Sequence, residues 1–268
     1  MLRRSMSRRP VRRLATTTPL LALAALAVAG CEVNTTVDLT VEDDGSGAVT
    51  AEVTLDEEAL ARVPDLDDNG VSDATDLAAL VRADDLGQAG WEVTAPATAD
   101  GVTTVTATKP FGTPDEAVAV LEELTGADGA LRDLAIERTT GFGTTSYDLA
   151  GTLDLSGGLE AFGDAGLAEM LDGEPLGEDA AAIEQRLGAP LADAFTFDLS
   201  VTLPGSLDAG TGEDRGGAAL WSPRLGDPAV DLAASSTERR TPVFVLAGVA
   251  VLSTVALVAL LLVRLVRR

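Results

Sequence analysis

The sequence predicts an α+β ectodomain, with helices packed on one face of an antiparallel β-sheet, followed by one C-terminal transmembrane helix. Strict alternation of apolar and polar residues over 195–203 is typical of a half-buried strand. Turn sequences rich in Asp and Gly at 43–47 and 100–101 separate further alternating segments and indicate hairpins. A run of 21 uncharged residues at 243–263 is long enough to cross the hydrocarbon core of a bilayer.

Residues 1–30 have the organisation of a bacterial lipoprotein signal peptide. Six arginines precede a short apolar segment at 19–30. Val28, Ala29 and Gly30 then place small side chains directly before Cys31, which is the single cysteine of the chain. We expect cleavage after residue 30 and acylation of Cys31 with a diacylglyceryl anchor. The alternative is an ordinary signal anchor with an incidental cysteine.

The charge pattern around the second apolar run predicts its orientation. Three arginines follow residue 263 in the short tail 264–268, and an excess of basic residues marks the cytoplasmic side of a membrane. The ectodomain, residues 31–238, therefore lies outside the cell. The exported N-terminus requires the same orientation. We expect a single-pass protein of the cell membrane whose folded part lies close to the outer bilayer surface.

Alternation and turn residues define the elements of the N-terminal half. The acidic segment before Pro64 and the amphipathic segment before Gly87 are typical of helices that end at those residues. The predicted elements are, in order, a hairpin at 33–55, a helix at 56–63, a helix at 73–86 and a second hairpin at 90–108.

The C-terminal half begins with a helix whose start is well marked. Thr113 is a good N-cap, and Pro114 suits the first helical position. Strands are predicted next at 131–139 and 144–155, then a helical segment rich in Ala and Gly at 157–188, the alternating strand at 195–203, and two last strands at 218–223 and 229–234. Trp91 and Trp221 are expected in the core.

Composition excludes several classes of function. The chain has no histidine, so Ser-His-Asp and Cys-His catalysis and the usual zinc sites are excluded. Residues 31–238 contain all 43 acidic residues and eight of the 19 basic ones, a formal charge of −35 that repels nucleic acid. Phosphate-binding and hydrolase motifs are absent from the sequence. We therefore expect a protein that is not an enzyme and binds no nucleic acid.

Residues 65–76 match the ligand spacing of a calcium-binding loop. Oxygen ligands would come from Asp65, Asp67, Asn69, the Val71 carbonyl, Asp73 and Asp76. Two interpretations remain open: a structural Ca²⁺ site, or an acidic turn that caps the following helix through Ser72 or Asp73.

A set of strand motifs resembles the LppM family of actinobacterial lipoproteins over most of 14–266. The motifs are the Val-rich first hairpin, Ala-Gly-Trp-Glu-Val at 89–93, Ala-Thr-Lys-Pro-Phe at 107–111, Tyr-Asp-Leu-Ala-Gly-Thr-Leu-Asp-Leu at 147–155, and Phe-Asp-Leu-Ser-Val-Thr-Leu-Pro-Gly at 197–205. The resemblance implies a sheet with packed helices, an apolar groove, and binding of envelope glycolipids such as phosphatidylinositol mannosides. It does not predict the 65–76 loop.

Two hypotheses of function follow. The first is a non-enzymatic envelope lipoprotein that binds a lipid or glycolipid, with Lys109, Arg132 and Arg138 as candidate headgroup contacts; these three cations can equally serve only as surface ion pairs. The second is an acidic scaffold that recruits a protein partner, with calcium stiffening one loop.

Overall fold

Two β-sheets dominate the computed structural model, which describes residues 32–63, 73–80, 83–125, 129–158, 161, 184–185 and 190–239. The larger sheet has seven strands in the order β3-β4-β2-β1-β7-β10-β9, and the smaller has four in the order β5-β6-β11-β8. The strands are β1 Val33–Val41, β2 Gly47–Asp56, β3 Glu92–Ala99, β4 Val102–Phe111, β5 Leu131–Thr140, β6 Thr144–Leu153, β7 Phe195–Thr202, β8 Ser206–Asp208, β9 Glu213–Arg215, β10 Ala218–Trp221 and β11 Val230–Arg239.

Short helices connect these strands in the described ranges. They are α1 Glu57–Leu60, α2 Ala74–Leu80, α3 Ala83–Gln88, α4 Pro114–Thr125 and α5 Leu191–Ala194. None of the described helices is long and apolar enough to span a bilayer. The predicted transmembrane segment 243–263 lies outside the described residues, as does nearly all of the predicted helical segment 157–188.

The two predicted hairpins are confirmed. β1 and β2 pair in antiparallel register from Val33↔Leu55 to Val41↔Gly47. β3 and β4 are joined by Asp100 and Gly101, whose φ angles of 52° and 81° are those that a tight hairpin turn requires. β4 continues beyond the predicted residue 108 to Phe111. Past Thr108 it pairs with β2 alone, and Pro110 is tolerated where one side of a strand has no partner.

The helix predicted at 73–86 is described as α2 and α3, and its end lies later than predicted. Gly90, with φ of +92°, terminates α3 instead of Gly87. The N–H of Trp91 donates to the carbonyl of Leu86 at 3.0 Å, and that of Gly90 donates to Gly87 at 3.2 Å. This pair of bonds closes a helix through a left-handed residue. Gly87 lies inside the last turn of α3.

The prediction of one antiparallel sheet is wrong, because the strands form two sheets and one of these is mixed. β1 pairs with β7 in parallel, in register from Val33↔Phe195 to Thr40↔Thr202. Alternation of apolar residues identifies a strand but carries no information about its partner or its direction. β8 and β9 were predicted as loop, and β11 extends to Arg239 because its polar end pairs with β6.

The core consists of two hydrophobic clusters on one face of the seven-stranded sheet. The main cluster lies between that face, the four-stranded sheet and α4, and it includes Trp91 and Trp221, each 4% exposed, as predicted. A smaller cluster packs under α1 and α2; its members are Leu55, Ala59, Val63, Leu77 and Val105.

Candidate functional site

A cavity of about 250 Å³ opens between the seven-stranded sheet and helices α3 and α4, at the boundary of the two hydrophobic clusters. It is partly open to solvent. Its lining is mainly apolar and consists of Thr35, Val37, Ala51, Val53, Val105, Ala107 and Phe197 from the sheet, and of Leu86, Glu123, Leu124 and Thr125 from the helices.

Two alanines create the space. Ala51 on β2 and Ala107 on β4 are direct cross-strand partners, and Val37 on β1 continues the same row. The next row, Thr35, Val53 and Val105, is larger. Side chains opposite one another on a sheet stand about 5 Å apart. Paired alanines therefore leave a depression, which α3 and α4 cover but do not fill.

The volume defines what the cavity can hold. An apolar cavity of about 150 Å³ is enough to bind a benzene-sized molecule. Pockets for drug-sized ligands begin at about 300 Å³. This cavity lies between these limits, which suits part of one acyl chain better than a whole diacyl lipid. Polar groups are few inside it, so binding there depends on burial of apolar surface.

A polar cluster surrounds the one charged side chain of the lining, Glu123. Lys109 Nζ lies 2.6 Å and 2.9 Å from the two carboxylate oxygens of Glu123, and it also donates to the Ala89 carbonyl at 2.8 Å. Trp91 Nε1 donates to Glu123 Oε2 at 3.1 Å, and the ammonium group lies 5.9 Å from the centre of the Trp91 ring. The carboxylate is thus neutralised, and an apolar chain entering the cavity meets no bare charge.

The other two candidate headgroup cations lie elsewhere. Arg132 and Arg138 are six residues apart on β5, about 20 Å along an extended strand. Arg132 bonds to Asp154 at 3.1 Å. Arg138 donates to the Tyr147 hydroxyl at 2.9 Å and to the Asp43 carbonyl at 3.4 Å. The three predicted cations therefore do not converge, and Lys109 is the one that touches the cavity lining.

Both arginines lie beside aspartates with lowered pKa values. The hydroxyl and amide of Ser46 donate to Asp44 and hold the pKa of Asp44 below its usual value, with a smaller contribution from Arg138. Ser156 does the same for Asp154, and Arg132 adds to the effect. The serine contacts hold two turns together, and of the two arginines Arg132 forms an ion pair, whereas Arg138 is held by hydrogen bonds to Tyr147 and to the Asp43 carbonyl.

None of the eleven cavity residues was predicted as a site residue from the sequence. A weak signal exists for two of them, Ala51 and Ala107. On the inward face of β2, Ala51 stands between Val49 and Val53, and on the inward face of β4, Ala107 follows Val105. Small residues at matching positions of paired strands mark a depression, but the pairing of β2 with β4 has to be known first.

Four of the six candidate calcium ligands, Asp65, Asp67, Asn69 and Val71, lie outside the described residues. Asp73 and Asp76 cap α2. The Asp73 carboxylate accepts from the N–H of Thr75 at 2.7 Å, and Asp76 accepts from the N–H of Asp73 at 2.9 Å. Asp76 is buried. Asp73 therefore caps α2 as the capping interpretation predicts, Ser72 lies outside the described residues, and calcium binding stays a prediction.

Calorimetric titration of the whole chain tests the calcium loop. We predict binding heat at millimolar Ca²⁺, because a loop with several carboxylates outside the cell needs only weak affinity. Asp67→Asn should remove that heat, whereas Asp68→Asn, at a position that supplies no ligand, should keep it. If the unaltered chain gives no heat, capping is the whole role of the loop.

The lipobox residues Val28, Ala29 and Gly30, the acylation site Cys31 and the tail 264–268 also lie outside the described residues. Within the described ranges, no group of three or more acidic residues is arranged to hold a metal ion.

Comparison with known proteins gives one likeness of fold. No family model and no curated protein matches the chain. The NMR structure of the folded domain of Mycobacterium tuberculosis LppM is similar to it, with a TM-score of 0.37 and 11% sequence identity. The match covers 80% of this chain and 94% of that one. LppM gives its name to the family that the sequence motifs resemble, and the likeness concerns the fold alone.

Proposed function

We propose that the protein is a non-enzymatic envelope lipoprotein that binds an acyl chain of a membrane lipid or glycolipid in the cavity under α3 and α4. It is held at the outer face of the membrane by an acylated Cys31 and by the transmembrane helix 243–263. The single observation that supports the binding role is the apolar cavity formed around the Ala51–Ala107 pair.

The physical basis of the proposal is the size of the cavity, which exceeds that of an ordinary packing defect. Protein interiors rarely contain voids larger than a water molecule. A lining of Val, Ala, Leu and Phe around about 250 Å³ forfeits contacts that an inserted alkyl chain would restore. Each methylene group moved from water into such a site contributes about 0.8 kcal/mol.

The polar cluster of Lys109, Glu123 and Trp91 supports the same proposal. A lipid enters an apolar cavity tail first and leaves its head where polar groups can bind it. At this position the protein offers an ammonium group and a partly exposed carboxylate, which suit the hydroxyl groups of a glycolipid as hydrogen-bond partners, while the buried Trp91 indole holds the carboxylate in place. Their mutual neutralisation makes the cluster a poor receptor for a bare phosphate.

The experiment uses a phospholipid with a photoreactive diazirine at the end of one acyl chain. The full-length chain is reconstituted in phosphatidylglycerol nanodiscs with this probe, irradiated and digested. We expect adducts on peptides that contain Leu86, Ala107 and Leu124. Adducts restricted to peptides outside the cavity would overturn the proposal.

A filled cavity provides the matched control. Ala51→Phe places a ring in the void and should reduce these adducts about tenfold or more, because an occupied site has no room for the chain. Ala48→Phe, three residues earlier on β2 and also half-buried, does not line the cavity and should leave the yield unchanged. Circular dichroism confirms that both variants fold.

The scaffold hypothesis makes a different prediction for the same material. A protein partner captured at equal stoichiometry by crosslinking in cells, together with equal lipid labelling of the Ala51→Phe chain and the unaltered chain, would favour it over lipid binding.

A further inference from the structure

The β5–β6 hairpin carries an exposed aromatic ring at its tip. Phe142 is 78% exposed; the other large hydrophobic side chain exposed in the described ranges, Val102, is 41% exposed. The ring is presented by a tight turn, in which the Gly141 N–H donates to the Thr144 carbonyl at 2.9 Å and Gly143 adopts a φ of +78°. A single exposed apolar residue is ordinary on a protein surface. The residues around Phe142 therefore decide whether its exposure indicates a function.

The tip carries no charge. Residues 139–147 contain no ionisable side chain other than Tyr147, although the ectodomain carries 43 acidic residues. Arg138 and Asp148 flank this stretch. An uncharged segment of threonine, glycine and phenylalanine can enter the headgroup region of a bilayer without desolvating a carboxylate.

The tip also lies where the chain leaves the domain. β11 runs antiparallel to β6, and its last residue, Arg239, pairs with Thr144, two residues from Phe142. Only residues 240–242 then separate Arg239 from the apolar run 243–263. Phe142 therefore lies at the end of the domain from which the chain continues into that run.

The basic residues where the chain leaves the domain also favour contact with a lipid surface. Arg239 and Arg240 precede the apolar run, with Glu238 as the nearest acid. Arginines next to a membrane segment are attracted to anionic lipid headgroups. An aromatic ring beside them can occupy the boundary between headgroups and acyl chains.

We propose that the Gly141-Phe142-Gly143 tip is a membrane-contact element that inserts Phe142 into the lipid interface beside the transmembrane helix. This contact orients the ectodomain, with the β5–β6 and β11 ends directed at the bilayer. It goes beyond lipid binding in the cavity and rests only on the proposed membrane attachment.

The test places a photoreactive benzoyl-phenylalanine at position 142 of the full-length chain in nanodiscs of phosphatidylethanolamine and phosphatidylglycerol. The control places it at Ala229, which is also exposed and precedes the opposite end of β11. We expect about ten times more phospholipid adduct at 142, since burying an aromatic ring favours the apolar side by at least that factor. Because position 142 is exposed, the substitution should not disturb folding.

The outcomes separate this contact from the function proposed above. A chain that incorporates into nanodiscs and gives equal adduct at 142 and 229 overturns the tip contact but leaves cavity binding untouched. A chain that fails to incorporate overturns both the membrane anchoring and the contact. Labelling of the cavity by the diazirine lipid is scored independently of either result.

Discussion

Gly210→Ala is expected to lower the free energy of unfolding by about 3 kcal/mol or more, because the added methyl group has no room. Gly210 follows β8 with a φ of +57°. A Cβ there would lie 2.1 Å from the carbonyl oxygen of Ala233 and 2.8 Å from its carbonyl carbon. Both atoms belong to the backbone of β11, so no side-chain rotation relieves the clash, and the Thr211–Ala233 hydrogen bond of 2.9 Å would have to break.

Gly216→Ala is the matched control for backbone strain. Gly216 also has a positive φ, of +67°, but nothing lies within 4 Å of the position of its missing Cβ. This variant should lose only about 1–2 kcal/mol, the cost of a left-handed alanine. Urea unfolding of the detergent-solubilised chain, followed by fluorescence of the buried Trp91 and Trp221, measures both. Equal losses of stability in the two variants would show that backbone strain, and not the clash with β11, determines the cost of alanine in these turns.

Phe197→Ala is expected to lower the free energy of unfolding by about 3–5 kcal/mol and to enlarge the cavity. The Phe197 side chain is 2% exposed and forms one wall of the cavity. Its loss removes buried apolar surface and merges the space that it vacates with the existing void. Labelling by the diazirine phospholipid should therefore persist or increase, although the protein is less stable.

Leu199→Ala is the control that separates an effect on stability from an effect on lipid labelling. Leu199 is also 2% exposed and lies two residues along β7 on the same face, but it does not line the cavity. The variant should lose about 2–5 kcal/mol with no gain in lipid labelling. If both variants changed lipid labelling in the same way, Phe197 would have no special relation to the ligand.

Local signals in the sequence were sufficient for most of the elements, although not for the short strands β8 and β9, and insufficient for their assembly. Asp100-Gly101, the Thr113-Pro114 helix start and the alternation at 195–203 depend on chemistry within a few residues, and the structure confirms all three. The second sheet and the β1–β7 pair depend on contacts between distant segments. No local pattern distinguishes a parallel partner from an antiparallel one.

The cavity could not be predicted from the sequence for the same reason. Ala51 and Ala107 are unremarkable in their own strands and become a cavity only when β2 pairs with β4 under a helix. The sequence indicates Lys109 as a cation that could bind a headgroup, yet its partner Glu123 lies on α4, where no local pattern distinguishes it from the other acidic residues. The charged residues can be counted in the sequence, but the sequence does not show which of them form ion pairs.

The parallel pairing of β1 with β7 delays completion of the larger sheet. The first four strands of the larger sheet lie within residues 33–111, but the free edge of β1 is covered only by residues 195–202, about 160 positions later. Closing so long a loop is slow, and an uncovered strand edge invites association with other chains. The edge of β1 therefore stays unpaired until residues 195–202 have been synthesised, and fast completion of the chain limits the time during which that edge can associate with other proteins.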